Sequence, residues 1–188
     1  MKKLILASTS STRKRLLTEA GLVFDIDSSS YEEDMSLPLP PKELAMYLSR
    51  GKAESVAKNY KHEIVIGADT FVVYDNKIFG KPHTPEKAKE TLKTLSGQQH
   101  SIITGFTIID TENDKTISRA VESKVFFRNL TDEEIDEYIA SGEPLKRAGA
   151  YSILENGGKF IEKIEGSKSN IAGLPMEELQ KALEEFDV

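Results

Sequence analysis

Asp69 and Lys81 are the side chains whose types and spacing first suggest chemistry on phosphate. Asp69 follows the run Ile64-Val65-Ile66-Gly67-Ala68, and Phe79-Gly80-Lys81-Pro82 comes ten residues later. Ile64 to Ile66 is β-branched and apolar, so it reads as a buried strand, with Asp69 expected where that strand ends and a loop or sheet edge begins. Open α/β sheets bind ligands beyond the carboxyl ends of their strands, and a carboxylate with a nearby lysine suits metal-assisted phosphate chemistry. The plainer alternative is an Asx-type turn at Asp69-Thr70 and a solvated cation at Lys81.

Three cations, Arg13, Lys14 and Arg15, crowd the opening turn of the first expected helix. A helix N-terminus already carries partial positive charge, so each exposed cation there is misplaced by about 0.3–1 kcal/mol. A bound anion would reverse that balance by using the unpaired N–H groups and the side chains together. A merely solvated helix start is the competing reading. Glu32-Glu33-Asp34 is either a solvated turn or, with Asp69, a source of oxygen ligands for Mg²⁺, which takes one or two carboxylates and completes its shell with phosphates and water. Lys146-Arg147-Ala148-Gly149-Ala150-Tyr151 and Gly166-Ser167-Lys168-Ser169-Asn170 place cations and hydroxyls in small-residue turns that permit close backbone approach. Tyr151 reads as core or hinge packing rather than as a stacking platform.

The elements that must hold these groups follow from patterning. Leu4-Ile5-Leu6 reads as a strand, and a helix with Leu16, Leu17 and Ala20 on its apolar face ends at Gly21. Val23 to Ile26 suggests a second strand, before a long loop through Ser28 and the Pro38, Pro40, Pro41 cluster. Lys42 to Lys58 is helical in period, with Lys52 on the margin of its buried stripe. Phe71–Tyr74 and Lys77–Phe79 suggest a hairpin about Asp75-Asn76. A helix opens at Thr84-Pro85-Glu86 and ends at Gly97. Ser101–Ile109 and Arg119–Phe127 read as long paired strands, and Thr131 to Glu134 is a capping box for a helix that stops at Gly142. Ala148 to Ile164 reads as glycine-punctuated strands, and Pro175 starts a last helix with Leu179, Leu183 and Phe186 on one face. Strands, helices and hairpins interleave, so an α/β fold with a mixed sheet is expected, either one domain over 1–188 or two small lobes sharing a sheet.

The 188 residues carry 38% hydrophobic and 30% charged side chains and a net charge of −6, which opposes general nucleic-acid binding because phosphate contacts need a basic face. The absence of cysteine removes thiolate catalysis and cysteine zinc sites, and the three histidines lack ligand spacing. No apolar run is long enough to span a bilayer, and Leu4-Ile5-Leu6-Ala7 is too short for a signal peptide, so no membrane partner and a cytoplasmic location are expected. A GxxxxGK phosphate loop, a GxGxxG turn and a GxSxG elbow are all missing.

Taken together, the segments resemble the Maf family of nucleoside triphosphate pyrophosphatases along nearly the whole chain. The resemblance is carried by Leu6-Ala7-Ser8-Thr9-Ser10 with Arg13, Lys52-Ala53, Gly67-Ala68-Asp69-Thr70, Gly80-Lys81-Pro82, His100-Ser101-Ile102-Ile103-Thr104-Gly105, Ala148-Gly149-Ala150-Tyr151 and Asn170-Ile171-Ala172-Gly173-Leu174-Pro175. It implies an elongated α/β fold with flanking helices and a long central cleft, similar to inosine triphosphate pyrophosphatases, often as a homodimer. It also implies hydrolysis of a nucleoside triphosphate to monophosphate and pyrophosphate with a divalent metal, Mg²⁺ or Mn²⁺. By that resemblance Asp69 is the catalytic carboxylate, Ser8, Arg13, Lys52, Thr70 and Lys81 bind substrate, and Glu33 with Asp69 holds the metal. Thr12, Arg13, Thr70 and Leu154 occupy positions tied to base choice. Thr12 and Leu154 depart from the family pattern, which has an arginine in the first loop and a glutamine after the Gly-Ala-Tyr segment; Thr70 and Tyr151 point to the dTTP/UTP branch. The competing functions are a nucleotide-binding regulator of septum formation with little turnover and an aspartyl-phosphate phosphatase. The latter is disfavoured because Gly67 and Phe71 stand where its second aspartate belongs.

Overall fold

Residues Ile64–Tyr74 form one uninterrupted strand, β3, in the computed structural model, which describes residues 2–186. Asp69 therefore lies mid-strand and buried, and the expectation that the strand ends there is corrected. The reason is local. Ala68, Phe71, Val72 and Val73 continue the apolar pattern, and Gly67 is held in the strand by packing rather than released into a turn. The chain first turns at Asp75-Asn76, whose φ values of 48° and 57° make the tight hairpin to β4 (Lys77–Phe79).

Seven strands are present among the described residues, in the order β2-β1-β3-β5-β6-β7 with β4 paired to β3. They are β1 (Leu4–Leu6), β2 (Phe24–Ile26), β3, β4, β5 (Gln99–Asp110), β6 (Lys115–Phe127) and β7 (Ile161–Glu165). β1 runs parallel to β2 and to β3, whereas β4 and β7 pair antiparallel, so the sheet is mixed as patterning anticipates. No helix among the described residues is long and apolar enough to cross a membrane.

The chain divides into two units, the first drawing on residues up to Asp69, Thr104–Val121 and from Gly173 on, the second on Thr70–Ile103 and Glu122–Ala172. In the first unit the two-residue period of the strands sorts their side chains to opposite faces. Leu4, Leu6, Ile64, Ile66, Phe106 and Ile108 pack against Leu17 of α1 (Ser11–Glu19) and Leu179, Leu183 and Phe186 of the C-terminal segment containing α6 (Met176–Leu183). Ile5, Ala7 and Val65 face the other way, onto Ala53 and Val56 of α2 (Pro41–Ala57).

Helix α2 lies unusually close to the sheet. A Cβ on Gly67 would stand 2.5 Å from Ser49 O and 2.6 Å from Ala53 N, and one on Gly105 would stand 2.7 Å from Met46 N. Only hydrogen at both positions lets the helix backbone rest on β3 and β5. Buried hydroxyls reinforce the contact, Ser49 Oγ pairing with Thr107 Oγ1 at 2.9 Å and Thr107 with Ser118 at 2.8 Å.

The second unit has its own core, in which Val72, Ile102, Val125 and Phe127 meet Leu92 and Leu95 of α3 (Pro85–Leu95), Tyr138 of α4 (Asp132–Ala140), Tyr151 and Phe160. The expected capping box is present: Thr131 Oγ1 accepts from Glu134 N at 3.2 Å and Glu134 Oε2 accepts from Thr131 N at 3.0 Å. The strands expected over Ala148–Ile164 are not formed before β7. Gly149 and Ala150 take positive φ (64° and 62°), which breaks extension, and single 3₁₀ turns at Ala148–Ala150 and Asn156–Phe160 replace it. The Ser167–Asn170 turn likewise continues into a short helix, α5 (Lys168–Ala172).

Candidate active site

Asp69, Lys52 and Glu33 meet in the first unit. β3 supplies Asp69, α2 supplies Lys52, and the loop after β2 supplies Glu33. Pressing α2 onto Gly67 brings Lys52 over Asp69, two residues further along the strand. Lys52 Nζ donates to Asp69 Oδ1 and stands 2.7 Å from Glu33 Oε1. Asp69 and Lys52 are 4% and 9% exposed, so this ion pair is largely desolvated, whereas the Glu33 side chain is 38% exposed and opens the cluster to solvent. Lys52 is thus more deeply placed than the margin of a helix stripe.

Asp69 Oδ2 is buried without a hydrogen-bond partner among the described residues. A carboxylate oxygen in that condition is costly, because native structures pair nearly all such atoms. Its vacant lone pairs suit a proton from water or a coordinated cation. Asp69 and Glu33 alone would give a divalent ion two carboxylates, which fits Mg²⁺ or Mn²⁺ completed by substrate phosphate oxygens. No cluster of three or more His, Asp or Glu suited to enclosing a metal occurs among the described residues. Glu32 and Asp34 do not join Glu33; Asp34 Oδ1 instead accepts from Ser36 N at 2.9 Å and Ser36 Oγ at 2.6 Å.

Arg13 is the inward-facing cation of the three at the start of α1. Its backbone N–H is capped by Ser10 Oγ at 3.3 Å, while Nε donates to Gly173 O at 2.8 Å and Nη1 to Ser8 Oγ at 3.3 Å. Lys14 and Arg15 are exposed, with Arg15 beside Glu19 at 3.5 Å. Burial pulls the Arg13 guanidinium below its ordinary pKa, and the negative charges of Asp69 and Glu33 oppose that shift. The cation therefore shares the field of the carboxylates, and Ser8, at the carboxyl end of β1, is fixed beside it. Thr12 is half-buried on α1.

Thr70 and Lys81 belong to the second unit, Thr70 half-buried on β3 and Lys81 exposed after β4. Leu154 is 38% exposed in a loop of that unit, where Arg147 Nη2 binds Glu155 Oε1 at 2.6 Å. Tyr151 is core: its ring packs edge-on to Phe127, and its hydroxyl meets His100 Nε2 at 2.8 Å. Patterning did not single out Gly67 and Gly105 as helix seats, or the Gly173 carbonyl as the anchor of Arg13. A glycine inside an apolar strand was the available signal for the first two.

The family model described as Maf-like protein matches residues 3–186. Over the full length of this chain, a protein named dTTP/UTP pyrophosphatase from Bacillus cereus is 44% identical, with 92% of its own length covered. A protein of the same name from Bacillus mycoides is 43% identical, with 97% of its length covered. Among solved structures, the Ham1 protein of Staphylococcus aureus superposes with a TM-score of 0.50 at 14% identity, covering 97% of this chain and 98% of that one. That likeness speaks to the mixed α/β fold alone.

Proposed function

This chain belongs to the Maf family, and on that premise we propose that it hydrolyses a nucleoside triphosphate, dTTP or UTP, to the monophosphate and pyrophosphate. The observation that carries the reading is the unpaired, buried Asp69 Oδ2 held beside a lysine and a second carboxylate.

Water attacks the α-phosphorus, a new P–O bond forms, and the bond to the oxygen bridging the α- and β-phosphorus breaks as pyrophosphate leaves. Negative charge accumulates on the phosphate oxygens, and fixed cations aimed at them contribute most of the stabilisation. Lys52 holds Asp69 by Oδ1 and fixes its orientation, so that Oδ2 is left to receive the proton of the attacking water. Arg13 and Ser8, tied together at the start of α1, supply donors for phosphate oxygens. Thr70 and Lys81 act on the substrate in the same proposal. Glu33 and Asp69 are the residues that would hold Mg²⁺ or Mn²⁺. That ion, when bound, neutralises charge on the phosphates. Thr12 and Leu154 contribute to base choice, with Leu154 offering an apolar surface in place of a hydrogen-bonding side chain.

Incubating the purified protein with Mg²⁺ and a panel of nucleoside triphosphates, and separating pyrophosphate from orthophosphate, tests the reading. Pyrophosphate release with dTTP and UTP is expected, and Asp69→Asn is expected to lower kcat by about 10²–10⁴-fold while nucleotide still binds. Orthophosphate release, or an Asp69→Asn variant as active as the wild type, would overturn it.

A further inference from the structure

Gly51 stands in the interior of α2, where glycine is the poorest choice among residues other than proline. What fills the space above it is the ring of Tyr31. A Cβ on Gly51 would come within 2.8 Å of Tyr31 Cδ2 and closer still to Cε2 and Cζ. The aromatic ring is thus laid directly against helix backbone, which no larger residue at position 51 permits. Tyr47, one turn earlier on the same helix, lies within electrostatic reach of the Tyr31 hydroxyl. One turn later, Ser55 Oγ meets Ser29 Oγ at 2.7 Å, and Ser29 Oγ accepts from Tyr31 N at 3.1 Å. Gly51 and Ser55 are spaced by four, so they share one stripe of α2, and the segment 29–31 is fastened to it at both positions.

Two residues after Tyr31 comes Glu33, whose carboxylate stands 2.7 Å from Lys52. The Glu33 side chain is partly exposed, and a single ion pair of that kind holds a loop weakly. We infer that the Tyr31 ring seated on Gly51 is a positioning device that holds Glu33 against Lys52 and Asp69, and so sets the affinity of the carboxylate pair for a divalent cation. The cation half of this inference rests on the function proposed above; the placement half rests on geometry alone.

Gly51→Ala and Tyr31→Ala test it against Tyr31→Phe. The direct readouts are the Glu33–Lys52 separation in crystals of each variant and the Kd for Mn²⁺ alone, from free-Mn²⁺ electron paramagnetic resonance. Loss of an outer-shell support weakens metal binding by about 10–100-fold, and that loss is expected for both alanine variants. In turnover assays it should enter as a raised KM for Mg²⁺, with kcat at saturating Mg²⁺ little changed. Tyr31→Phe, which keeps the ring, should bind Mn²⁺ as the wild type does. The Gly51→Ala/Tyr31→Ala double variant should be no worse than either single one, because both remove the same contact. Glu33 still on Lys52 and an unchanged Mn²⁺ Kd in Tyr31→Ala, which creates no clash, would overturn the inference. So would additive losses in the double variant. Failure of the wild type to release pyrophosphate would instead overturn the proposed function and leave the measured Glu33 placement intact.

Discussion

Adding one methyl group at Gly67 should disable the site without touching a single charged residue. The new Cβ would stand 2.5 Å from Ser49 O and 2.6 Å from Ala53 N, against the 3.4 Å at which ordinary contact begins. Both neighbours are helix backbone, which has no rotamer through which to escape, so α2 must retreat from β3 by about 1 Å, the 0.9 Å difference between 3.4 and 2.5 Å. Lys52 lies next to Ala53 and is carried with it, away from Asp69 Oδ1. Misplacing a catalytic group by about 1 Å costs on the order of 10²-fold in rate, and the overpacking itself costs about 1–3 kcal/mol. Gly67→Ala is therefore expected to lower kcat/KM for pyrophosphate release by about 100-fold while Tm falls by only about 2–12 °C. Gly105→Ala is the control, since its clash falls at Ala45 and Met46, about 10 Å along the helix from Lys52. It should destabilise comparably and inhibit much less. A Gly67→Ala protein that melts lower yet turns over like the wild type would refute the idea that helix seating sets the Lys52–Asp69 geometry.

Two further outcomes concern the second unit. Burial holds the His100 imidazole at about 4, below its ordinary 6.5, so the unfolded chain takes up the proton first as pH falls. Its contribution is fully present above pH 6.5 and is lost as pH falls towards 4, a change of about 3 kcal/mol. Urea melts between about pH 7 and pH 4 should show it, with a flatter profile in His100→Gln; equal slopes would count against the assignment. Thr131→Ala removes the Oγ1 acceptor for Glu134 N and should cost about 1 kcal/mol, read as a lower urea midpoint at unchanged m. Arg128 still grips Glu134 at 2.6 Å, so a much larger loss would mean that the cap is supported by more than these bonds.

Elements with their own local signals were legible in the sequence. The Thr131 capping box, the Asp75-Asn76 hairpin and the apolar period of α2 each appear as patterning predicts, because their causes lie within a few residues. Asp69 was identified as the central carboxylate but expected at a strand end, since the β-branched run stops at Ile66 and nothing local shows the helix that lies on Gly67. Ala148 to Ile164 read as glycine-punctuated strands. Gly149 and Ala150 instead take left-handed backbone, which a side chain disfavours at Ala150, and both are buried. Gly51 carried no readable meaning alone, because its partner Tyr31 lies twenty residues earlier in a loop without periodicity. By residue type alone Glu33 is one of three adjacent acids, and it was the family resemblance that singled it out; its contact with Lys52 on α2 sets it apart from Asp34, which bonds Ser36.

The first unit begins with β1 and is completed only by the last helix. Leu4, Leu6, Ile64 and Ile66 are covered by Leu179, Leu183 and Phe186, with the whole second unit encoded in between. On a translating ribosome this face of β1 and β3 has Leu17 of α1 available to it but lacks Leu179, Leu183 and Phe186 until α6 is delivered. The core of residues 72–171 can close before the one that was started earlier. The unit carrying Glu33, Lys52 and Asp69 thus matures last, and any delay in delivering the final helix prolongs the exposure of a sticky, half-built sheet to chaperones and to other unfinished copies.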